Sequence, residues 1–203
     1  MKALDWQNFL ELQRKQHGKT LFRVAELANV AGRDSHALNV ELDRLVKKGV
    51  FTRYAAGIYG MSDGVNPQQL VSVLDDGAYI TGMYALYHHN LITQTPTEIT
   101  CFTNRRHNRS RQRATPLGRI VFACVSPKIY RKPANGVFAP PEQALCDFVH
   151  LARRRGLNPV SLVTFRNLNK ISKKQLSTIL KRYPRSVAQS LKQTLLDSGT
   201  RKH

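Results

Sequence analysis

The chain has 203 residues, 41% of them apolar, and 32 Lys and Arg against 13 Asp and Glu, for a net charge of +19. That apolar fraction excludes a wholly disordered chain, and no run of about 18 apolar residues offers a membrane span. The charge points to a polyanionic partner, most often nucleic acid. The excess is uneven: residues 1–65 carry net +3, residues 66–150 net +4, and residues 151–203, with 13 basic groups and one acid, net +12. Cys101, Cys124 and Cys146 are odd in number, widely spaced and without a CxxC pair, which argues against a disulfide framework or a structural zinc site. The N-terminal stretch MKALDWQNFLELQRKQ lacks the apolar core of a signal peptide, so a reduced, cytoplasmic setting is expected.

Trp6, Phe9, Leu10 and Gln13 share a helical stripe, with Asp5 as its start and Gly18 as its stop. Thr20 to Phe22 reads as a short strand. Val24 to Ala28 reads as the first helix of a pair, separated from the second by a glycine turn, Asn29 to Gly32. Asp34 or Ser35 caps the next helix, which runs to about Lys48. Its Leu38, Leu42, Leu45 and Val46 cluster on one face, while His36, Asn39, Val40, Asp43, Arg44 and Lys47 take the other. Val50 to Tyr54 and Gly57 to Met61 form a hairpin around Ala55–Ala56–Gly57. This order of elements predicts a winged helix-turn-helix whose second paired helix enters a DNA major groove. Arg33, Ser35, His36 and Asn39 are then the groove residues, because Arg can pair bidentately with guanine and Asn with adenine. Val40 is placed against a thymine methyl and Lys47 against a phosphate, and Arg44 lies on the same DNA-facing side. Arg53 and Tyr54 flank the wing tip, while Tyr59 packs into the core. Asp43 would repel phosphate and should lie away from the backbone.

The turn-rich Ser62 to Asn66 sets the expected domain boundary, dividing a module of residues 1–64 from an α/β domain of residues 65–203. Asn66–Pro67 opens a helix that stops near Asp76–Gly77. Tyr79 and Ile80 lead into a helix opened by Thr81–Gly82 and ended near Asn90. Glu98 to Thr103 and Ile120 to Val125 read as strands, and Lys128–Tyr130 and Val137–Phe138 as a third and fourth. Between the first two lie Arg105, Arg106, Arg109, Arg111 and Arg113, with almost no apolar residues. This stretch reads either as an arm gripping phosphates or as an exposed loop kept soluble by its charge; the absence of a neighbouring acid favours the first. Pro140–Pro141–Glu142 begins a helix ending in Arg153–Arg155, and Asn158–Pro159, Lys173–Arg182 and Ser186–Ser198 give further helices. The whole is an α+β chain: the N-terminal module, then a mixed α/β domain with a small sheet and a basic helical tail.

Catalytic and metal chemistry finds little support. His88 and His89 point about 100° apart on a helix and make a poor metal pair; His88 is expected to face the core and bond a carbonyl. Glu142 and Asp147 lie nearly opposite one another on their helix, a poor acid–base pair. Asp75–Asp76 precedes glycine and reads as turn capping. No phosphate-binding glycine motif occurs. The expectation is therefore a protein with no enzyme activity, cofactor or metal.

Three blocks in order carry a resemblance to a known family. They are the N-terminal module, G-A-Y-I-T-G-x-x-A-L-Y-H-H-N-L-I over Gly77 to Ile92, and A-P-P-E-Q-A-L-C-D over Ala139 to Asp147. The chain resembles the AbiEi family, the antitoxins of type IV toxin–antitoxin phage-defence systems, over roughly residues 5–155. The resemblance implies that the N-terminal domain binds inverted repeats in its own promoter and represses the operon. It implies that the second domain carries the antitoxin activity against a nucleotidyltransferase toxin encoded next door, with no stable complex required. The alternative left by the residues is an RNA-binding protein acting through residues 105–113 and the tail 151–203. An enzyme acting on nucleic acid is the weakest reading, for want of a carboxylate cluster.

Overall fold

The computed structural model describes residues 2–108 and 111–200, and within them the side chains of all but Ser35 and residues 194–200. The chain is α+β and divides into two compact units: Met1–Leu74 with Ala114–Leu117, and Asp75–Arg113 with Gly118–His203.

The first unit runs α1 (Ala3–His17), β1 (Leu21–Arg23), α2 (Val24–Ala31), α3 (Ser35–Lys47), β2 (Thr52–Ala55), β3 (Ile58–Gly60) and α4 (Pro67–Leu74). Helix α1 starts earlier than its sequence suggests: Asp5 lies inside it, and its carboxylate accepts the Lys2 N–H at 2.7 Å. Gly18 ends α1 and Gly32 ends α2, each in the left-handed conformation that glycine adopts without a Cβ clash. The three strands form one antiparallel sheet in the order β1-β3-β2. A core of Trp6, Leu10, Phe22, Leu27, Leu38, Leu42, Leu45, Phe51 and Tyr59 joins helices to sheet. Edge-to-face contacts of Trp6 with Phe51 (5.5 Å) and of Phe51 with Tyr59 (6.4 Å) link α1 to β3. The turn at Ser62–Asn66 lies within this unit, and the division falls after Leu74. The reason is that α4 is tied back to the module: Arg23 donates to the Val73 carbonyl at 2.6 Å, and Gln69 bonds Thr20 at 3.4 Å.

The second unit contains β4 (Tyr79–Ile80), α5 (Gly82–His88), β5 (Glu98–Thr103), the first half of β6 (Gln112–Thr115), which the division after Arg113 cuts, β7 (Gly118–Cys124), α6 (Pro141–Arg154), α7 (Pro159–Leu162), α8 (Lys173–Leu180) and α9 (Arg185–Thr200). Its sheet has the order β4-β5-β7-β6. Strand β5 runs antiparallel to β4 and parallel to β7, with Glu98 opposite Arg119 and Thr103 opposite Cys124. Two sequence expectations fail here. Lys128–Tyr130 is a turn, its Ile129 and Tyr130 N–H groups bonding Ser126, and Phe138 makes only an isolated parallel bridge to Ile80. The fourth strand is instead β6, which has no apolar alternation and so left little trace in the sequence. Helix α6 is the centre of the second core, with Leu145, Phe148 and Val149 packed among Tyr79, Leu86, Ile92, Phe102, Leu176, Tyr183 and Val187.

Candidate nucleic-acid interface

Helix α3 is held by its ends and one face. Asp34 is the cap: its carboxylate accepts the His36 and Ala37 N–H groups at 2.8 and 2.9 Å. These bonds hold the carboxyl below the usual range, and the negative charge suits a helix N-terminus. Leu38, Leu42 and Leu45 are buried, each stabilising the module by about 2 kcal/mol. The opposite face is open: His36, Asn39, Val40, Asp43, Arg44 and Lys47 are all exposed. Val40 is 53% exposed, unusual for a branched apolar side chain. The side chain of Ser35, placed in the groove set by sequence, lies outside the described residues.

Two of the expected contact residues are engaged within the module. Arg33 Nη1 lies 2.9 Å from Glu41 Oε2, while Glu41 Oε1 accepts the Trp6 indole N–H at 2.8 Å. Glu41 thus orients an arginine at the foot of α3 from a half-buried position that sequence reasoning passed over; its spacing of eight from Arg33 was the available sign. The Arg33 side chain is 52% exposed, so this pair is worth under about 1 kcal/mol and leaves most of its donors free. Arg53 lies 3.9 Å from Asp43 and over the Tyr59 ring at 5.8 Å. Asp43 lies on the open face, as its place in the helix predicts, paired with the β2 arginine.

Tyr54 is a correction. It was expected at the wing tip, but it is buried, and its hydroxyl donates to the Met61 carbonyl at 2.7 Å. Side chains alternate along a strand, so when Arg53 points to solvent Tyr54 must point the other way. Tyr59 packs in the core as expected.

In the second unit the arginine stretch is anchored rather than loose, and it does have neighbouring acids. Asp75 is buried at its start, accepting the Gly77 N–H (2.9 Å) and the Thr103 hydroxyl (2.6 Å), with His107 Nε2 at 2.8 Å. Burial acts to raise its pKa, but the bonds from Thr103, His107 and Gly77 outweigh it and hold the carboxyl below its ordinary value. Turn capping is thus one part of what Asp75 does; the other is gripping the segment that carries the arginines. Arg105 lies 2.9 Å from Asp76 and 3.6 Å from Asp75. Arg106 and Arg111 are exposed, and the Arg111 carbonyl accepts the Phe122 N–H at 2.8 Å. Arg113 belongs to β6 and stacks over Phe122 at 5.7 Å. Arg109 lies outside the described residues.

A second buried carboxylate is structural in its contacts. Asp147 on α6 is fully buried and accepts hydroxyls from Tyr183 (2.5 Å), Thr81 (2.7 Å) and Tyr79 (3.3 Å). Burial pushes it up to about 7 against the pull of those three bonds. The Gly77–Ile92 and Ala139–Asp147 blocks therefore meet at one carboxylate. Glu142 is apart from it, accepting the Ser172 N–H at 2.8 Å ahead of α8. The histidine expectation is reversed: His89, not His88, bonds a carbonyl, that of Ala139 at 2.8 Å, and His88 is exposed. Among the described residues no three His, Cys, Asp or Glu side chains group as a metal site would need.

These features define an α+β chain with, among the described residues, no helix long and apolar enough to cross a membrane. No protein-family model matches the chain, and no curated protein matches it.

Proposed function

We propose that this protein is a sequence-specific duplex-DNA-binding repressor and that its N-terminal unit is a winged helix-turn-helix. The observation that carries the reading is α3: capped by Asp34, fixed by three buried leucines, and open on the face bearing His36, Asn39, Val40, Arg44 and Lys47. A rigid helix with one free polar face is what major-groove reading requires. Support comes from α2, joined to α3 through Gly32, and from the β2–β3 hairpin, which places Arg53 on an exposed strand position. In this reading Asn39, with Arg33, reads base edges and Arg44, Lys47 and Arg53 hold phosphates.

By its resemblance to the AbiEi family, the repressor doubles as the antitoxin of a type IV system. It autoregulates its operon through promoter inverted repeats and counters a nucleotidyltransferase toxin without needing a stable complex. It acts in the cytoplasm, without enzyme activity or cofactor. The test is a mobility-shift titration of the upstream promoter against a scrambled duplex, with Asn39→Ala beside the native chain. Tighter binding to the promoter, and relaxed preference at one base pair in the variant, are the expected results. Equal binding to both duplexes by the native chain removes the reading.

A second reading, RNA binding, draws on the tail and the arginine stretch. Arg153, Arg154, Arg155, Lys170, Lys173, Lys174, Lys181 and Arg185 are all exposed, in a region carrying a single acid. Nucleic acid recovered with the chain, with and without residues 1–65, separates the two readings.

A further inference from the structure

The outer face of α5 consists of rings. Gly82, Ala85 and Leu86 are buried, which turns Tyr84, Tyr87 and His88 outward. The His88 imidazole stacks on Phe138 with centroids 4.1 Å apart and planes 2° from parallel. Tyr84 lies parallel to the same phenyl ring, 6.2 Å away and tilted by 7°. Tyr87 is 39% exposed, and among the described residues no hydrogen bond or ring contact engages its side chain. Partial burial, with His89 beside it, pushes the His88 pKa below the ordinary histidine value, so the ring is uncharged at neutral pH.

A cation is fixed at the end of this face. Asn90, two residues beyond His88, holds a left-handed backbone at φ 57°, and its side-chain oxygen accepts from Arg166 Nη2 at 3.1 Å. Asn167, also left-handed at φ 54°, donates to the Asn90 carbonyl at 2.9 Å. The segment around Arg166 pairs with the chain after α5: Arg166 N–H to Leu91 carbonyl, Thr93 N–H to Thr164 carbonyl, and an antiparallel bridge between Ile92 and Phe165. Asn90, itself held by Asn167, therefore anchors one exposed guanidinium to the segment that directly follows the exposed Tyr87 and His88. The sequence segment that supplies Arg166, residues 151–203, carries net +12.

We infer that the α5 face, with Tyr87 and His88 as stacking surfaces and Arg166 as the phosphate contact, binds unpaired bases of single-stranded nucleic acid. Every base has a π-face, so such a surface takes successive bases without hydrogen-bond readout, while cations track the backbone. A duplex hides those base faces, so this surface is separate in ligand and in residues from α3 and does not rest on the duplex-DNA reading. Charge complementarity selects a polyanion, and parallel rings select flat unpaired bases over a lipid surface.

The test is fluorescence anisotropy of the full chain with labelled oligo(U), oligo(A), oligo(dT) and a duplex. The native chain is expected to bind the single strands, and a preference for either sugar supports the inference. Tyr87→Ala with His88→Ala should weaken single-strand binding roughly tenfold or more, with unchanged salt dependence and unchanged duplex affinity. Tyr87→Phe should retain binding, which shows that the ring matters rather than the hydroxyl. Arg166→Ala should lower the slope of log affinity against log salt by about 0.7. Native-like single-strand affinity in the double variant overturns the inference. So does a proportional loss of duplex binding, or binding of anionic phosphatidylserine vesicles with none of the oligonucleotides.

Discussion

Replacing Arg44 and Lys47 together by Ala tests the open face of α3 by its charge. Both side chains are exposed, and neither takes part in an ion pair among the described residues. With Arg53 they make the three exposed cations assigned to phosphates. If each neutralises one phosphate, log affinity for duplex DNA falls with log salt at a slope of about −2.7 from these three. Raising salt about fourfold, from about 50 to about 200 mM, then weakens binding roughly 40-fold. Removing Arg44 and Lys47 cuts the slope contribution to about −0.9, and the same salt step costs roughly 3.5-fold. The loss should be equal for promoter and scrambled duplex, since phosphates carry no sequence. Stability should change little, because neither side chain packs in the core. Anisotropy titrations at several salt concentrations give the slopes directly. A variant with the native slope would refute the reasoning, because the α3 cations would then touch no phosphate.

The remaining predictions concern stability and the corrected residues. The Asp147 carboxyl rises from 3.8 to about 7 on folding, so its contribution is fully present below pH 4 and is lost as pH rises toward 7. Asp147→Asn should therefore gain on the native chain between pH 5 and pH 8, by about 3 kcal/mol at most; urea midpoints showing a pH-independent difference would contradict this. Tyr54→Phe strands the buried Met61 carbonyl and should cost about 1–2 kcal/mol while leaving DNA affinity intact, whereas Arg53→Ala should do the reverse. A loss of affinity in Tyr54→Phe would return that residue to the interface. A Cβ at Gly60 would meet the Thr20 carbonyl oxygen at 2.5 Å and Leu21 Cδ2 at 2.9 Å, so Gly60→Ala should cost about 3 kcal/mol or more. Gly18→Ala meets nothing within 4 Å and should cost only its left-handed strain, about 1 kcal/mol; equal denaturation midpoints for the two variants would refute the packing argument.

Local rules in the sequence determined much of this protein. Asp34 before an apolar-periodic run announced the cap and span of α3, and the spacing of Leu38, Leu42 and Leu45 announced its buried face. Gly18 marked a helix end, and the paired helices, hairpin, β5 and α6 were legible from periodicity and turn chemistry, although α2 runs on to Ala31 through residues expected in the turn before Gly32. Long-range pairing was not legible, because contacts between residues distant in the chain leave no period to read. Strand β6 exists because β7 offers it an edge, not because Gln112–Thr115 favours extension. Arg105 appeared free of acids until folding brought Asp75, 30 residues earlier, and Asp76 beside it. Tyr54 looked like a tip residue until the position of Arg53 fixed which side of the strand faced inward. Composition alone settled the charge and where its excess lies. Only the tertiary structure decided which charged groups are spent on neighbours and which remain open to a partner.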